Sequence, residues 1–294
     1  MTKKKINIWA CDFSDSTGEG RLGRLFIRHN NYKELYKLKF NKKENRTKYL
    51  STFSGILFCW KKYFKKEKVC YLNYLPLWNF ILFILLPPKT ILGPITGGAI
   101  YTKDNILNYF IRDKIFPLFY KISEYFLSLR SLEIIFSTDL LKEYLSRETI
   151  KKAKFNFVLN NILFKKINIK KDIDFLIYHR KHSNKKNFLP RVFIENLILN
   201  NLNIHIVGDK LEMNGIKNHG IIKNSYIQKL QSRSKFTIAS GENIYSLFTI
   251  ESLSNGVKVL IDKKDKKQIK FYKKKFIFIN FNKIINLQNL KIKL

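Results

Sequence analysis

The run from Ser240 to Val257 reads S-G-E-N-I-Y-S-L-F-T-I-E-S-L-S-N-G-V, a glycine loop set ahead of a short helix-like stretch. A loop that opens into a helix leaves the first backbone N–H groups without intrahelical partners. Phosphate oxygens bind well at such a start, helped by the positive end of the helix dipole. The amides of Ser246 and Leu247 would occupy that place, and Glu251 lies one to two turns further in. A carboxylate at that depth can accept both hydroxyls of a ribose whose phosphates rest at the helix start. The same residues also describe an ordinary capped helix with a solvated glutamate, so the segment alone does not choose.

Other chemistry-bearing residues narrow the choice. Gly18-Glu19-Gly20-Arg21-Leu22-Gly23 matches G-x-G-x-x-G, but Cys11 to Thr17 separate it from the first strand-like run. A dinucleotide loop needs its first glycine almost directly after the strand, so this spacing argues against a nicotinamide or flavin site. His29, His179, His182, His205 and His219 show no zincin or deaminase spacing, and no metal site is expected. His205 falls in a strand and reads as structural. His179 and His182 flank Arg180, where they either approach a phosphate or sit on the surface. Cys11, Cys59 and Cys70 have no paired spacing, which fits a reducing compartment rather than a disulfide framework.

The elements that must position these residues alternate between strand-like and helix-like runs, the pattern of parallel α/β architecture. Expected strands are Lys5 to Ala10, Tyr36 to Phe40, Val69 to Leu72, Thr90 to Leu92, Glu133 to Phe136, Phe175 to Tyr178, Ile204 to Val207, Gly220 to Ile222, Phe236 to Ala239 and Val257 to Ile261. Expected helices include Leu22 to His29, a basic aromatic one ending near Lys66, Leu75 to Leu86 as a buried helix, and Asp104 to Arg130 broken at Pro117. Ser137 is placed to cap a helix over Asp139 to Leu145. Further on come Phe188 to Leu199, Ser225 to Gln231 and Ser246 to Ser254, the last stopped by Asn255-Gly256. The charged, weakly patterned stretch Lys165 to Asp172 reads as a boundary, giving domains 1–168 and 169–294.

Composition bounds the rest. The 294 residues are 45% hydrophobic, enough for buried cores, and 56 basic against 22 acidic residues leave a net charge of +34. Such a field attracts polyanions, although the wealth of Lys, Asn, Ile, Phe and Tyr also fits compositional drift. Leu75 to Leu86 is stopped by Pro87-Pro88, short of the roughly 20 residues a bilayer span needs. Trp60-Lys61-Lys62-Tyr63-Phe64-Lys65-Lys66 suits either a lipid headgroup surface or an amphipathic helix packed inward.

The run from Gly220 onward resembles the C-terminal domain of the group 1 glycosyltransferases, whose fold is the two-domain GT-B arrangement. Tyr226 to Gln231, Phe236 to Ala239, Glu242, Ser246-Leu247, Glu251 and Ser254-Asn255-Gly256-Val257 fill that family's places in order. The family sets seven residues between its two glutamates. Here eight lie between Glu242 and Glu251, and Asn243 takes the strict position. A basic pair supports the likeness: Arg180 follows a strand, and Lys185 stands five residues on, with His179 replacing the family's glycine.

The resemblance implies two Rossmann-like domains facing a central cleft, with the nucleotide-sugar against the second. It implies Glu242, Arg180 and Lys185 as catalytic residues, the two cations neutralising the departing diphosphate. Glu251, Ser246, Leu247 and Asn243 would bind the donor, and Gly18 and Gly20 would face it from the first domain. Gly93 to Gly98 would lie near the cleft. The implied activity is glycosyl transfer to a glycan or lipid-linked glycan with retention at the anomeric carbon, in bacterial surface polysaccharide or lipopolysaccharide synthesis. No cofactor is implied, the nucleotide-sugar being a substrate. The expected setting is cytoplasmic, peripheral on an anionic inner membrane face. Two alternatives stay open: a basic α/β protein that binds nucleic acid, though no recognition motif for it appears, and a GT-B protein that has lost activity.

Overall fold

The computed structural model describes residues 4–34, 48–97, 109–130, 132–162, 169–181 and 189–282. It divides into two compact units, Met1–Asn161 and Ile162–Leu294.

In the first unit β1 (Lys4–Trp9) pairs in parallel with β2 (Tyr32–Glu34) and β3 (Val69–Tyr71), and β4 (Ile91–Leu92) joins β3. The sheet order is β2-β1-β3-β4. A parallel ribbon of β5 (Ile134–Ile135) and β6 (Ala153–Lys154) attaches through a bridge between Ile95 and Phe136. The helices are α1 (Gly18–His29), α2 (Lys48–Phe64), α3 (Phe80–Leu85), α4 (Phe116–Ser128), α5 (Arg147–Lys152) and α6 (Phe157–Asn161). Tyr71, Leu75, Leu77, Phe83, Ile95 and Phe136 fill the core between sheet and helices.

Several expectations change here. The strand expected over 36–40 lies outside the described residues, and β2 ends at Glu34. The apolar run Leu75 to Leu86 is not one buried helix. Leu75 enters the core just before Pro76, which bridges Thr96, and Leu77 enters it from the turn that follows. The helix starts only after Asn79, whose side chain accepts from the Leu82 amide at 3.4 Å, and Ile81, Ile84 and Leu85 face outward. Within the stretch expected as Asp104 to Arg130, a π-helical turn at Ile111–Ile115 leads into α4. Pro117 stands in α4's first turn, where its missing N–H costs nothing. The helix expected over Asp139 to Leu145 is reduced to a 3₁₀ turn, Lys142–Tyr144. Ser137 does not cap it, because its backbone continues the strand ladder, donating to Ile95 O at 2.9 Å.

The second unit holds β7 (Ile173–His179), α7 (Arg191–Leu199), β8 (Ile204–Gly208), β9 (Ile216–Asn218), α8 (Asn224–Arg233), β10 (Ser234–Ile238), α9 (Leu247–Ser254), β11 (Lys258–Asp262) and β12 (Phe276–Ile279). All strand pairs are parallel, in the order β12-β11-β10-β7-β8-β9. Read from the other edge and renumbered within the unit, this is 3-2-1-4-5-6, the doubly wound Rossmann order. The alternation along β7 sends Phe175 and Ile177 into one face's core and Leu176 into the other. The strand expected at Gly220 to Ile222 is instead β9, because Gly220 adopts φ +69 and cannot extend it. Each unit is thus a parallel α/β layer of Rossmann type.

Candidate functional site

A doubly wound sheet presents its ligand crevice at the carboxyl ends of the strands where the order reverses. In the second unit that point lies between β7 and β10, which pair at Phe175 and Phe236. His179 ends β7, with Arg180 exposed beside it, and Ala239 to Glu242 follow β10. Topology therefore delivers the basic step and the glycine loop to the carboxyl ends of two neighbouring strands.

The loop is built from local bonds. Asn243 N donates to Ser240 O and Ser246 N to Asn243 O, both at 3.1 Å, which folds Ser240 to Ser246 into successive turns. Tyr245 fixes this loop to the chain beyond β11. Its buried hydroxyl accepts from the amides of Lys270 (2.9 Å) and Phe271 (2.7 Å) and lies 3.0 Å from Phe271 O. Gly241 sits against the carboxylate of Asp265, where a Cβ would collide.

Ser246 caps α9, its Oγ accepting from Thr249 N at 3.3 Å. One expectation is corrected by this. The Ser246 amide is already bonded to Asn243 O, so it is not one of the unpaired amides expected at this helix start. The helix ends as the sequence indicates. Gly256 N donates to Leu253 O at 3.2 Å and Val257 N to Ser252 O at 3.0 Å, with Gly256 at φ +73. That is a Schellman stop, and it requires the glycine.

Glu251 is buried at 7% exposure, so the solvated-glutamate alternative does not hold. A residue that sequence reasoning passed over holds its helix in place. Gln231 of α8 is fully buried and donates to Phe248 O (3.3 Å) and Ser252 Oγ (3.1 Å), while its Oε1 accepts from Asn255 Nδ2 (3.0 Å). No spacing rule singles out one buried glutamine among many polar residues.

The end of β7 meets α9 through Tyr178, whose ring stacks on Phe248 at 5.5 Å and 28°. Lys181 N donates to Asp209 Oδ2 at 2.7 Å and Asp209 N to His179 O at 2.9 Å, stitching the ends of β7 and β8 together. Arg180 thus leaves the sheet at the carboxyl end of β7, two residues after the ring that stacks on α9. Burial holds His179 below the usual imidazole range, with Arg191 and Lys181 adding to the effect and Asp209 opposing it. His179 is therefore mainly neutral at pH 7, and the positive charge at this edge belongs to Arg180, Lys181 and Arg191.

Arg191, at the start of α7, lines a cavity of about 270 Å³ with Ala239, Gly241, Asp262, Lys264 and Asp265. None of the residues marked from sequence as catalytic or donor-binding lines this cavity. It is smaller than the ~300–1,000 Å³ of typical small-molecule sites. Burial raises the Asp265 carboxyl pKa; Lys264 works against that and Asp262 reinforces it.

Arg180 follows β7, while Glu242, Asn243, Ser246, Leu247 and Glu251 lie in the loop and helix that follow β10. Lys185 and His182 lie outside the described residues. Gly18 and Gly20 belong to the first unit, where they open α1. Thr17 caps that helix, accepting from Gly20 N at 3.0 Å, and Asp12 Oδ1 accepts from Ser14 N at 2.8 Å. A side chain on Gly20 would strike Ser14, whereas Gly18 faces open space. Packing alone accounts for glycine at 20 and leaves 18 without a steric reason. Among the described residues, no group of three or more His, Cys, Asp or Glu is placed to hold a metal ion.

No family model matches this chain, and no curated protein matches its sequence. Solved structures with a similar course of the chain include UDP-GlcNAc 2-epimerase of Methanocaldococcus jannaschii in complex with UDP-GlcNAc and UDP, at 12% identity, covering 98% of this chain and 92% of that one, with a TM-score of 0.47. Escherichia coli heptosyltransferase WaaC with ADP-2-deoxy-2-fluoro heptose is 9% identical over 99% and 100% of the two chains, TM-score 0.40. The spinosyn forosaminyltransferase SpnP is 8% identical over 96% and 87%, TM-score 0.46. Likenesses this distant say nothing of chemistry, and the fold class rests on the chain's own topology of two parallel α/β units of Rossmann type.

Proposed function

We propose that this chain is a glycosyltransferase that takes a sugar from a nucleotide-sugar and passes it to a glycan or lipid-linked glycan. The observation that supports this best is the strand order: the reversal of a Rossmann sheet sets Arg180, after β7, and the glycine loop with its Ser246-capped helix, after β10, behind neighbouring strands. In this reading the donor diphosphate lies against Arg180 and the first-turn amides of α9. Negative charge grows on that diphosphate as the glycosidic bond breaks, and fixed cations and amide dipoles stabilise it most in the transition state. Lys185 would add a second cation. Glu251 would accept the ribose hydroxyls, and Glu242 with Asn243 would contact the sugar. The sugar leaves with retention at the anomeric carbon, as in the enzymes whose motif the segment resembles. The first unit would serve the acceptor, in the synthesis of a bacterial surface polysaccharide or lipopolysaccharide.

The test is calorimetric titration of wild type, Arg180→Ala and Glu251→Gln with uridine and guanosine diphosphates. Loss of one charged hydrogen bond is worth about 1.5–3 kcal/mol, so each variant should bind at least about tenfold more weakly. Wild-type affinity in both variants would remove the donor site from this edge. Transfer from a panel of nucleotide-sugars then separates an active enzyme from an inactive one.

A further inference from the structure

We infer that the outer face of α3 and α4 in the first unit is a docking surface for an anionic lipid bilayer. This surface is separate from the donor site, and its test does not depend on the proposed activity. Helix α4 is apolar on both sides. Its inner side packs Tyr120 and Leu127 into the core, while Leu118, Ile122, Tyr125 and Leu129 recur at helical spacing on the outside. Leu118, Tyr125 and Leu129 are 58%, 61% and 65% exposed. A helix that only needed to cover its own core would carry polar residues there.

The neighbouring helices extend the face. Helix α3 adds Ile81, Ile84 and Leu85, and it lies along α4 through the stacked pair Trp78 and Phe116 (5.6 Å) and through Phe80 against Phe119 (5.0 Å). Trp60 of α2 donates to Leu85 O at 2.8 Å, which brings the end of α2, with exposed Phe64, to the same place. The apolar stripes therefore belong to one packed group of helices.

Charge chooses the occupant. Lys61, Lys65, Lys66, Lys89, Lys114 and Lys121 are exposed on or beside these three helices, against Glu67 and Asp113. Aliphatic stripes rimmed by lysine and edged by Trp and Tyr are the make-up of a helix that lies in a headgroup layer. A second copy, also at +34, would set one basic rim against another. Nucleic acid would use the lysines but has no use for exposed isoleucine and leucine, since bases stack on aromatic rings. Among the described residues no helix is long and apolar enough to cross a membrane, so the contact would be one of lying on the surface.

The experiment sediments the full-length chain with phosphatidylcholine vesicles, with and without about 30% phosphatidylglycerol. Wild type should partition onto the anionic vesicles and release as salt rises. Ile84→Ser with Ile122→Ser should lower partitioning about tenfold or more. Lys65→Gln with Lys66→Gln and Lys121→Gln should remove the preference for anionic lipid. All of these positions are solvent-facing, and a thermal melt matching wild type confirms folding. The inference is overturned if the apolar variant sediments as wild type does. It is equally overturned if wild type ignores both vesicles while light scattering shows a dimer or a salt-sensitive shift appears with RNA.

Discussion

Tyr245 and Gln231 carry no charge and touch no phosphate in the proposed site, yet each positions groups that do. Removing the Tyr245 hydroxyl leaves the amides of Lys270 and Phe271 without their acceptor. Tyr245→Phe should therefore cost about 1–3 kcal/mol in urea unfolding, with nucleotide affinity falling alongside as the Gly241 loop loosens. Gln231→Leu fills the same space but removes the donor to Ser252 Oγ and one of the two acceptors of Asn255 Nδ2, which keeps Glu251 O. A loss of about 2 kcal/mol is expected, and an unchanged denaturation midpoint would show that α9 is held by packing alone. The place of Glu251, one to two turns into a short helix, was readable from the sequence. Gln231 was not, because its role exists only once α8 lies across α9.

At the scale of elements, stops and caps decide where helices begin and end. Gly256 holds φ +73, a region that costs an L-residue about 1 kcal/mol or more. Gly256→Ala should lower stability by about that much, measured by chemical denaturation, with little effect on the slope of the transition. The end of α3 has a less visible device. Arg130, buried after α4, donates to four backbone carbonyls, those of Phe83, Leu86, Pro87 and Pro88. Burial lowers its pKa to about 10, which leaves it charged at neutral pH. Arg130→Met should cost about 3 kcal/mol, because four carbonyls lose a charged donor where Pro87 and Pro88 bring no N–H of their own. If lipid binding is abolished along with it, α3 is part of the docking face and not merely adjacent to it.

A buried and a half-buried histidine in the second unit contribute to the molecule's response to acid. His205 in β8 and His219 after β9 place Nδ1 and Nε2 3.1 Å apart. Burial is the largest cause lowering His205 to about 4, followed by His219, Lys217 and Arg233, with Asp172 opposing. Burial also lowers His219. The folded state thus binds fewer protons than the unfolded chain, whose imidazoles titrate near 6.5. Stability is constant above that value and falls as pH drops from about 6.5 toward 4. The urea midpoint should decline across that window, and His205→Gln should flatten the decline; an unchanged slope would mean the pair does not govern it.

The sequence by itself determined the α/β alternation, the bounds of most strands, and the short helix between Ser246 and Asn255-Gly256. These follow from local physics: apolar periodicity, a side chain that caps, and a glycine that can take positive φ. It also set Arg180 after a strand and Glu251 within a helix. Only the tertiary structure decided that the strands before Arg180 and before the Glu251 helix pair at the point where the strand order reverses, since strand order depends on contacts between distant residues. Tertiary contacts also turned the apolar run at Leu75 into core chain plus a half-exposed helix. They drew Ser137 into a strand ladder, placed Arg191 in a cavity, and buried Gln231 and Arg130 as clamps. Composition specified a basic chain rich in aromatic residues, but which lysines border which exposed isoleucines was settled by how three helices pack.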